Sequence, residues 1–343
     1  MSSPQKSYLI VGAGVFGVST AYHLIKKYPD ASVTIVDRDH YAATSRVAAS
    51  WDWNKVVRAD YEDILYCRLA LEAQDVFRSQ PLWKPFFHET GIFWVCRTDY
   101  AQRVIDNYAR LGRTADLKAI SVEDAKRLYG ALFDQADYAG GVKSVLINKT
   151  SGWAAAGDCL QAVTREVVRL GVRFVTAEVD SLRFDDGGRC VGVGLAGGRD
   201  DLRAAHVILS TGAFTAKLLE WSAHRSGKPG LRACDRIRAG GVTTGMTRLS
   251  DADYGRFARM PVGVQSYDPA TGPYIGSLPP NPTDRELKWW GRTIFANTSE
   301  VFPGRHISAP PAEPDYAQWK VSRRLREDID HARTTFYGAA SDH

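Results

Sequence analysis

Three glycines near the N-terminus have the spacing of a phosphate-binding turn. Gly12, Gly14 and Gly17 form a GxGxxG pattern, in which the first glycine permits a tight turn, the second lets the backbone approach a pyrophosphate and the third lets a helix pack closely. Asp37 stands 20 residues after Gly17, and its carboxylate can accept hydrogen bonds from both hydroxyls of an adenosine ribose. Because this carboxylate would repel a 2′-phosphate, the pattern predicts FAD or NAD as the ligand, and Arg38 beside it leaves NADP as the weaker alternative.

The segments around these residues have the pattern of a strand, a turn, a helix and a second strand. An apolar run, Tyr8–Val11, precedes the glycines, and a stretch with helical periodicity, Val18–Lys27, follows them with the small Ala21 where helix and sheet approach. An alternating stretch, Ser32–Val36, then ends at Asp37. This βαβ context is the one in which a GxGxxG turn binds a dinucleotide. A glycine-rich turn without a ligand is the less favoured interpretation.

The chain does not continue as a simple Rossmann repeat after this unit. An amphipathic helix is predicted over Ala59–Ser79 and an apolar strand over Gly91–Val95. A second βαβ-like stretch comes much later: a helix over Gly157–Leu170, a strand over Val172–Val175, a hairpin strand over Val191–Leu195 and, within Ala205–Thr215, a buried strand that ends in Thr211-Gly212. The sequence therefore predicts an α/β protein in which the dinucleotide-binding domain is interrupted by another domain.

Composition limits the classes of function. A chain of 343 residues allows about two packing units, and 44% hydrophobic with 24% charged residues is typical of a folded globular protein. No apolar run reaches the ~18 residues that a membrane-spanning helix needs, and the N-terminus shows no secretory signal. The net charge of +5 is scattered, which is weak evidence for a nucleic-acid partner. We expect a monomer that contacts neither nucleic acid nor membrane.

Cysteine usage and motif searches exclude several other chemistries. The five cysteines are odd in number and widely spaced, which favours reduced thiols over a disulfide framework or a zinc site; they are Cys67, Cys96, Cys159, Cys190 and Cys234. His88-Glu89 does not open an HExxH zinc motif, because Ile92 stands where the second histidine would be. The sequence has no GxxxxGK[ST] phosphate loop and no GxSxG nucleophile turn. No metal is expected.

Several short motifs occur together with the glycine turn. They are Ser45–Ser50 leading into Asn54–Tyr61, Gly152-Trp153 before a helix, Ala177–Val179, and Ser210–Thr215. With them the chain resembles, over residues 7 to about 300, the FAD-dependent amine oxidases of the D-amino-acid oxidase and monomeric sarcosine oxidase group. It most resembles the fungal branch that contains fructosyl amino acid oxidases (amadoriases) and saccharopine or pipecolate oxidase-like enzymes, some of which serve secondary metabolism.

The resemblance implies a Rossmann-like FAD-binding domain interleaved with an α+β substrate domain built on a mainly antiparallel sheet. The FAD-binding domain would comprise residues 1–60, 145–222 and 310–343, and the substrate domain residues 61–144 and 223–309. The residues that match cofactor contacts of the group are Gly12, Gly14, Val15, Phe16 and Gly17 for the diphosphate, Asp37 and Arg38 for the adenosine end, Asn54 and Lys55 for the flavin ring, Val179 for adenine through its backbone, and Thr211 and Gly212 for a turn over the cofactor.

The resemblance also implies roles in substrate binding and catalysis. Arg58 matches an arginine that holds a substrate carboxylate, and its planar fork suits two oxygens. Lys288 matches a lysine over the flavin whose charge assists reoxidation by oxygen, and Lys55 is the other candidate catalytic lysine. The alternatives are that Arg58 begins a polar helix as an ordinary surface charge and that Lys288 is a solvated loop charge.

These assignments lead to a predicted reaction. A hydride would pass from the carbon next to a primary or secondary amine of an amino-acid-like substrate to FAD, and O2 would then accept the electrons, giving an imine and H2O2. Trp51 and Trp53 suggest an aromatic substrate, whereas the further aromatic residues from Trp83 to Trp94 are more typical of a core. An NAD-dependent dehydrogenase, against which the Ser210–Thr215 turn argues, and an inactive remnant of a flavoprotein are the alternatives.

Members of this group continue past the last helix, predicted here over Tyr316–Tyr337, into a Cys-Trp/Tyr-x-x-Thr-Pro segment and a glycine-rich loop. That cysteine carries covalent FAD in many members. Gly338–His343 contains neither motif, so the resemblance implies that a flavin-domain strand and a second carboxylate-binding lysine are missing, and we expect a truncation. Ser341–His343 is not a peroxisomal signal; we expect an intracellular, cytoplasmic protein, with intact relatives in peroxisomes.

Overall fold

The computed structural model describes residues 6–43, 48–50, 52–233, 236–265, 274–310 and 320–338. In chain order the strands are β1 Ser7–Val11, β2 Ser32–Asp37, β3 Lys55–Val57, β4 Phe87–His88, β5 Ile92–Cys96, β6 Leu117–Ile120, β7 Ser144–Asn148, β8 Gly152–Ala154, β9 Arg173–Thr176, β10 Val179–Phe184, β11 Cys190–Leu195, β12 Leu202–Arg203, β13 His206–Leu209, β14 Gly240–Arg248, β15 Val262–Gln265, β16 Ile275–Leu278, β17 Glu286–Ala296, β18 Thr298–Phe302 and β19 Arg305–Ser308. The α-helices are α1 Val15–Lys27, α2 Ile64–Ser79, α3 Tyr100–Arg110, α4 Val122–Lys126, α5 Ala156–Arg169, α6 Thr215–Ser226, α7 Asp251–Phe257 and α8 Arg323–Tyr337.

These elements group into two compact units, each assembled from three stretches of the chain. Unit 1 comprises Met1–Trp53, Ala156–Gly240 and Ala296–Tyr316. Unit 2 comprises Asn54–Ala155, Gly241–Phe295 and Ala317–His343. Interleaving of this kind agrees with the predicted interruption of one domain by another. None of the described helices is long and apolar enough to cross a membrane.

Unit 1 is built on a parallel sheet with the order β13-β1-β2-β9. The predicted βαβ unit is confirmed, with α1 beginning at Val15, three residues before the predicted start. Central strands β1 and β2 contribute buried side chains such as Leu9 and Ile35, as parallel strands covered on both faces require. The predicted hairpin is confirmed by the antiparallel pairing of β10 with β11.

Strand β13 corrects one expectation about unit 1. The sequence predicts a buried strand that begins at Ala205 and ends in Thr211-Gly212, but the strand covers only His206–Leu209 and none of its residues is fully buried. Among the described residues it pairs with β1 alone and therefore forms the edge of the sheet. One open side explains the exposure of His206.

Unit 2 contains a seven-stranded sheet with the order β14-β17-β16-β15-β5-β7-β6. Its described pairings are antiparallel except for β15 with β5, which confirms the predicted mainly antiparallel sheet. Side chains alternate between the two faces of each strand. Phe93, Ile275, Leu287 and Trp289 belong to the core cluster on one face, so the residues beside them in sequence lie on the other face.

Helix α8 belongs to this core. Ile329, Ala332 and Phe336 of α8 are in the same cluster as Phe93 and Trp289. The indole N–H of Trp289 donates to the Ile329 carbonyl over 3.0 Å. The predicted domain boundaries place residues 310–343 with the FAD-binding domain, whereas the apolar side of α8 packs in unit 2.

Helix α2 starts later than predicted. The helix begins at Ile64 rather than at Ala59, because Asp63 is its N-cap residue. The Asp63 carboxylate accepts hydrogen bonds from the backbone N–H groups of Leu65 and Tyr66, as N-cap side chains do. The residues before Asp63 therefore lie outside the helix.

The described cysteines are free thiols, as predicted, and Cys67, Cys96 and Cys159 are buried. Burial raises the pKa of Cys67 and of Cys159 to about 11 and that of Cys96 to about 12. A protonated, buried thiol is a poor nucleophile, so these side chains act as core residues. Cys234 lies outside the described residues.

Candidate active site

The predicted diphosphate turn in unit 1 has room only for glycine. Gly12 adopts a φ of +102°, and a Cβ atom there would lie 2.4 Å from the Ser210 carbonyl oxygen. A Cβ atom on Gly17 would lie 1.9 Å from the Gly12 carbonyl oxygen. The turn between β1 and α1 is therefore pressed against the turn that follows β13, as the sequence pattern required of these glycines.

These two turns lie at the carboxyl ends of neighbouring parallel strands. The connection through α1 leads from β1 to β2 on one side, while β13 lies on the other side of β1. Ligands of open parallel sheets bind at such a switch in strand order. Gly14 is the N-cap residue of α1 and supplies no capping side chain; Ser50 Oγ instead accepts from the first N–H of the helix, and the positive end of the helix dipole faces this edge.

The other predicted residues of the diphosphate loop and its neighbouring turn are brought to the same edge. The Val15 N–H donates to Ser50 Oγ over 3.0 Å, and the Phe16 side chain is 80% exposed. The backbone nitrogen of Thr211 would lie 3.3 Å from a Cβ on Gly12. Gly212 follows with a φ of +51°.

Asp37 is fixed beside the glycine turn. Its Oδ2 accepts a hydrogen bond from the Ala13 N–H over 2.7 Å, and its Oδ1 accepts one from the Asp39 N–H over 3.0 Å. The Ala177 N–H donates to the Asp37 carbonyl over 2.8 Å, which brings the chain leading to Val179 to the end of β2. The predicted contacts with adenosine thus converge on one place.

Arg38, the third of the predicted adenosine residues, stacks on an aromatic ring. Its guanidinium carbon lies 4.6 Å from the centre of the Phe214 ring, and its Nε lies 3.6 Å from Asp39 Oδ2. This neighbouring carboxylate reduces the attraction that Arg38 offers to a 2′-phosphate. The arrangement supports the sequence-based preference for FAD or NAD over NADP.

Asn54 and Lys55 are the first of the predicted site residues in unit 2. Asn54 is fully buried, and neither its amide nitrogen nor its amide oxygen has a hydrogen-bond partner among the described residues. Leaving a buried polar group unsatisfied costs about 1–3 kcal/mol, so such a side chain marks a place where a ligand can bind. Lys55, the first residue of β3, is exposed.

A cavity of about 300 Å³ lies in unit 2. Three aromatic residues, three valines and one arginine line it; they are Trp94, Tyr274, Trp290, Val56, Val242, Val264 and Arg58. The walls are thus apolar with one cationic group, which is the usual composition of a small-molecule site. Trp94 has the buried position that was the default expectation for it, with only 1% of its surface exposed, and it also borders this cavity.

Arg58 is not an ordinary surface charge, and it does not begin a helix. It follows β3, and its guanidinium carbon lies 4.0 Å from the centre of the Tyr61 ring and 4.8 Å from that of the Trp94 ring. Cation–π contacts of this kind hold an arginine against aromatic walls. The alternative considered for Arg58, an ordinary surface charge at the start of a polar helix, is therefore wrong.

Lys288 is also not a solvated loop charge. The residue lies within β17, opposite Leu278 of β16, and is only 4% exposed. It shares a face of the sheet with Trp290, because Leu287 and Trp289 point into the core. Its role beside the flavin remains a prediction.

A polar network around the buried Asp60 holds Arg58 in place, and sequence reasoning missed it. Arg58 Nη1 and the Tyr100 hydroxyl both donate to the carbonyl oxygen of Asp60. The carboxylate of Asp60 accepts from Asn148 Nδ2 and from Ser151 Oγ, each over 2.7 Å. No local pattern links positions 60, 148 and 151, so only their place within the Asn54–Tyr61 motif singled out Asp60.

Burial raises the pKa of the Asp60 carboxyl group and is the largest influence on it. The hydrogen bonds from Ser151 and Asn148 and the charge of Arg58 lower this pKa, but by less. Between the usual value near 4 and the raised native value, the native state binds the proton that the unfolded state has released. Stability from this group therefore falls as pH rises through that window, by about 1.4 kcal/mol for each unit of pKa shift.

Asp60→Asn is expected to remove the pH dependence of stability that comes from this carboxyl group. The free energy of unfolding of the wild-type protein, minus that of the variant, should decrease as pH rises from about 4 to 8. Urea unfolding of both proteins across this range measures the difference. A difference that increases with pH would show that the native network stabilises the carboxylate form.

Comparison with known proteins places the chain in a family. The family model described as "FAD dependent oxidoreductase" (DAO) matches residues 7–334. The chain is 25% identical over 300 residues to the L-saccharopine oxidase of Schizosaccharomyces pombe, which covers 83% of this chain and 64% of that protein. It is 29% identical over 265 residues to an amino acid oxidase of Aspergillus fumigatus, covering 64% of this chain and 50% of the relative. The chain thus spans less than two thirds of the length of these relatives.

Solved structures show the same fold. A thermally stable mutant of fructosyl peptide oxidase superposes with a TM-score of 0.79 at 20% identity, over 98% of this chain and 77% of the other. Amadoriase I from Aspergillus fumigatus, a fructosyl amine:oxygen oxidoreductase, gives a TM-score of 0.66 at 23% identity, over 91% and 69% of the two chains. Of the dinucleotides that the glycine turn left open, FAD is the one this family uses, and the chain belongs to the FAD-dependent oxidoreductases of the DAO family.

Proposed function

We propose that this protein is an oxidase that removes two electrons from the C–N bond of a carboxylate-bearing primary or secondary amine. The substrate CH–NH group would lose a hydride and a proton to become C=N, and O2 would take up both electrons and two protons to become H2O2. The observation that carries this proposal is Arg58, a guanidinium in the wall of an otherwise uncharged cavity of about 300 Å³. Arg58 is half-buried, and an arginine fork is suited to bind a carboxylate through two parallel hydrogen bonds.

The residues of unit 1 fit the nucleotide half of FAD. The close-packed turn at Gly12 and Gly17 leaves the backbone open to a diphosphate, and Asp37 is held in place for a ribose. In unit 2 the buried, unpartnered amide of Asn54 supports the proposed contact of Asn54 and Lys55 with the flavin ring. Bound FAD supplies the two-electron chemistry, accepting a hydride and passing electrons to oxygen.

The side chains of unit 2 have the remaining tasks. Arg58 would bind the substrate carboxylate and so orient the amine carbon, since a fixed orientation lowers the barrier to reaction. The rings of Trp94 and Trp290 would exclude water from this ion pair and so strengthen it. Lys288, buried on the same face as Trp290, is the proposed cation that stabilises negative charge on oxygen as it is reduced.

Spectroscopy and a peroxide assay test the proposal together. The purified protein is expected to carry a flavin absorption spectrum and to release H2O2 with N-methyl or N-alkyl amino acids in air. A colourless protein that binds NAD instead would overturn the assignment of the cofactor. A flavin-loaded protein that releases no peroxide and undergoes no anaerobic bleaching with any such amino acid would identify an inactive flavoprotein.

Lys288→Met is expected to slow reoxidation of the reduced protein by O2 by about 10- to 100-fold, as loss of a preplaced charge does, with a much smaller effect on its reduction by substrate. Stopped-flow absorbance separates the two half-reactions. Lys143→Met, which removes an exposed lysine paired with Asp99 in the same unit, serves as the control and should change neither rate. Equal slowing of both half-reactions by Lys288→Met would remove the proposed role.

A further inference from the structure

The cavity of unit 2 has an aromatic wall that spans four hydrogen-bonded strands. Trp290 of β17 pairs with Gly276 of β16, Gly276 pairs with Val264 of β15, and Val264 pairs with Trp94 of β5. All four positions lie on the face opposite the core cluster, because their sequence neighbours belong to that cluster or contact it. They form one continuous row in which two indoles flank a glycine and a valine.

Gly276 lets the Trp290 ring lie on the sheet. A Cβ atom on Gly276 would fall 1.9 Å from Cζ2 and 2.0 Å from Cη2 of Trp290. The indole therefore covers the place that any side chain at position 276 would occupy. The indole N–H donates to the Tyr274 carbonyl over 2.8 Å, which fixes the ring in this orientation.

The rings are arranged as an aromatic site with a charge at one end. The Tyr274 ring meets the Trp94 ring edge-on, with centres 5.0 Å apart and planes at 77°. The guanidinium of Arg58 lies 4.8 Å from the centre of the Trp94 ring. Rings in edge-on or offset geometry attract further rings more than aliphatic groups of similar area.

Charge narrows the class of ligand further. Among the described residues that line the cavity, Arg58 is the one ionised side chain and no carboxylate is present. One guanidinium matches one carboxylate, whereas a second carboxylate or a second ammonium group on the substrate would be buried without a partner.

From this geometry we infer that the substrate is an amino acid with one carboxylate and an aromatic side chain, and that Trp290 and Gly276 determine this specificity. The inference rests on the proposed oxidase function and deepens it by naming the substrate class. The carboxylate binds Arg58, and the side chain ring packs against the half-buried Trp290 end of the row, since Trp94 is only 1% exposed.

The test measures kcat/KM for peroxide release by the FAD-loaded protein with both enantiomers of N-methylphenylalanine, N-methyltryptophan, N-methylleucine and N-methyllysine. In kcat/KM, an aromatic substrate is expected to exceed the leucine and lysine derivatives by about three- to tenfold, as an added ring contact predicts. An equal or greater value for leucine or lysine would overturn the substrate class while leaving the oxidase function in place. If none is oxidised, the proposed function fails.

Equilibrium dialysis of the same protein gives a readout that needs no turnover. Phenylacetate and indole-3-acetate are expected to bind more tightly than cyclohexylacetate, which carries the same carboxylate on a saturated ring. Equal affinities would overturn ring recognition even where the amino acids are oxidised.

The specificity ratio is kcat/KM for N-methylphenylalanine divided by kcat/KM for N-methylleucine. Trp290→Leu is expected to lower this ratio by about tenfold. Gly276→Ala is expected to lower it as well, because the new methyl group displaces the indole. Trp221→Leu, which removes an indole from α6 in unit 1, is the matched control and should leave the ratio unchanged. An unchanged ratio in Trp290→Leu and Gly276→Ala, with both variants folded by circular dichroism, would overturn their proposed role.

Discussion

Gly12→Ala is expected to lower the free energy of unfolding by about 3 kcal/mol or more and to abolish retention of FAD. A residue with a Cβ atom at a φ of +102° is strained by about 1–2 kcal/mol. The new methyl group would also lie 2.4 Å from the Ser210 carbonyl oxygen and 2.8 Å from its carbon, so backbone must move, which adds about 1–3 kcal/mol. Urea unfolding gives the stability, and flavin absorbance per protein after gel filtration gives the bound cofactor.

Gly171→Ala is a control that separates the cost of backbone strain from that of a steric clash. Gly171 has a φ of +101°, and a Cβ atom there meets nothing within 4 Å. The free energy of unfolding of this control should fall only by the backbone strain of about 1–2 kcal/mol, and the protein should keep its flavin. If the two variants lose the same stability and the same amount of flavin, the approach of the Gly12 turn to Ser210 is not what requires glycine.

Arg58→Met is expected to lower kcat/KM for an amino acid substrate by about 100- to 1,000-fold, since removing one partner of a buried charge pair costs about 2–5 kcal/mol. The decisive measurement is the ratio of kcat/KM for N-methylphenylalanine to that for N-methylphenethylamine, the same amine without the carboxylate. The wild-type protein should prefer the acid strongly, and the variant should not. Arg58→Lys keeps the charge without the planar fork and should fall between the two.

Arg103→Met provides the matched control for Arg58. Arg103 lies in the same unit, is half exposed and pairs with Glu62 over 2.6 Å. Its loss should leave the ratio of acid to amine unchanged. If Arg58→Met lowers kcat/KM equally for both substrates, Arg58 acts by supporting the Asp60 carbonyl and the Trp94 ring, and some other group binds the carboxylate.

The sequence predicted best where its signals are local. Within residues 7–37 the glycine spacing, the apolar strands and the helical periodicity are all read over neighbouring positions, and the βαβ unit follows them closely. The hairpin of β10 and β11 was also predictable, because Asp186, Gly187 and Gly188 mark its turn. Element ends were predicted less well, and the error at the start of α2 came from overlooking Asp63 as an N-cap.

Features set by distant parts of the chain could not be predicted. The aromatic row depends on the register of β17, β16, β15 and β5, and no single segment encodes which residues face each other. The same holds for Asp60, whose partners stand about 90 positions away. Charged residues in a strand are equally ambiguous, since whether Lys288 is solvated or buried is decided by what covers its face of the sheet.

The pairing of β1 with β13 has a consequence for synthesis of the protein. Tyr8 stands opposite His206, and the Ala205 N–H donates to Ser7 Oγ, a contact between residues 198 positions apart. Parallel pairing over such a separation forms slowly, because a long loop must close before any contact compensates for the lost entropy. Gly12 leaves the ribosome some two hundred residues before Ser210, whose carbonyl group packs against it. The glycine turn of the dinucleotide site can therefore reach its native packing only after this much later segment has been translated.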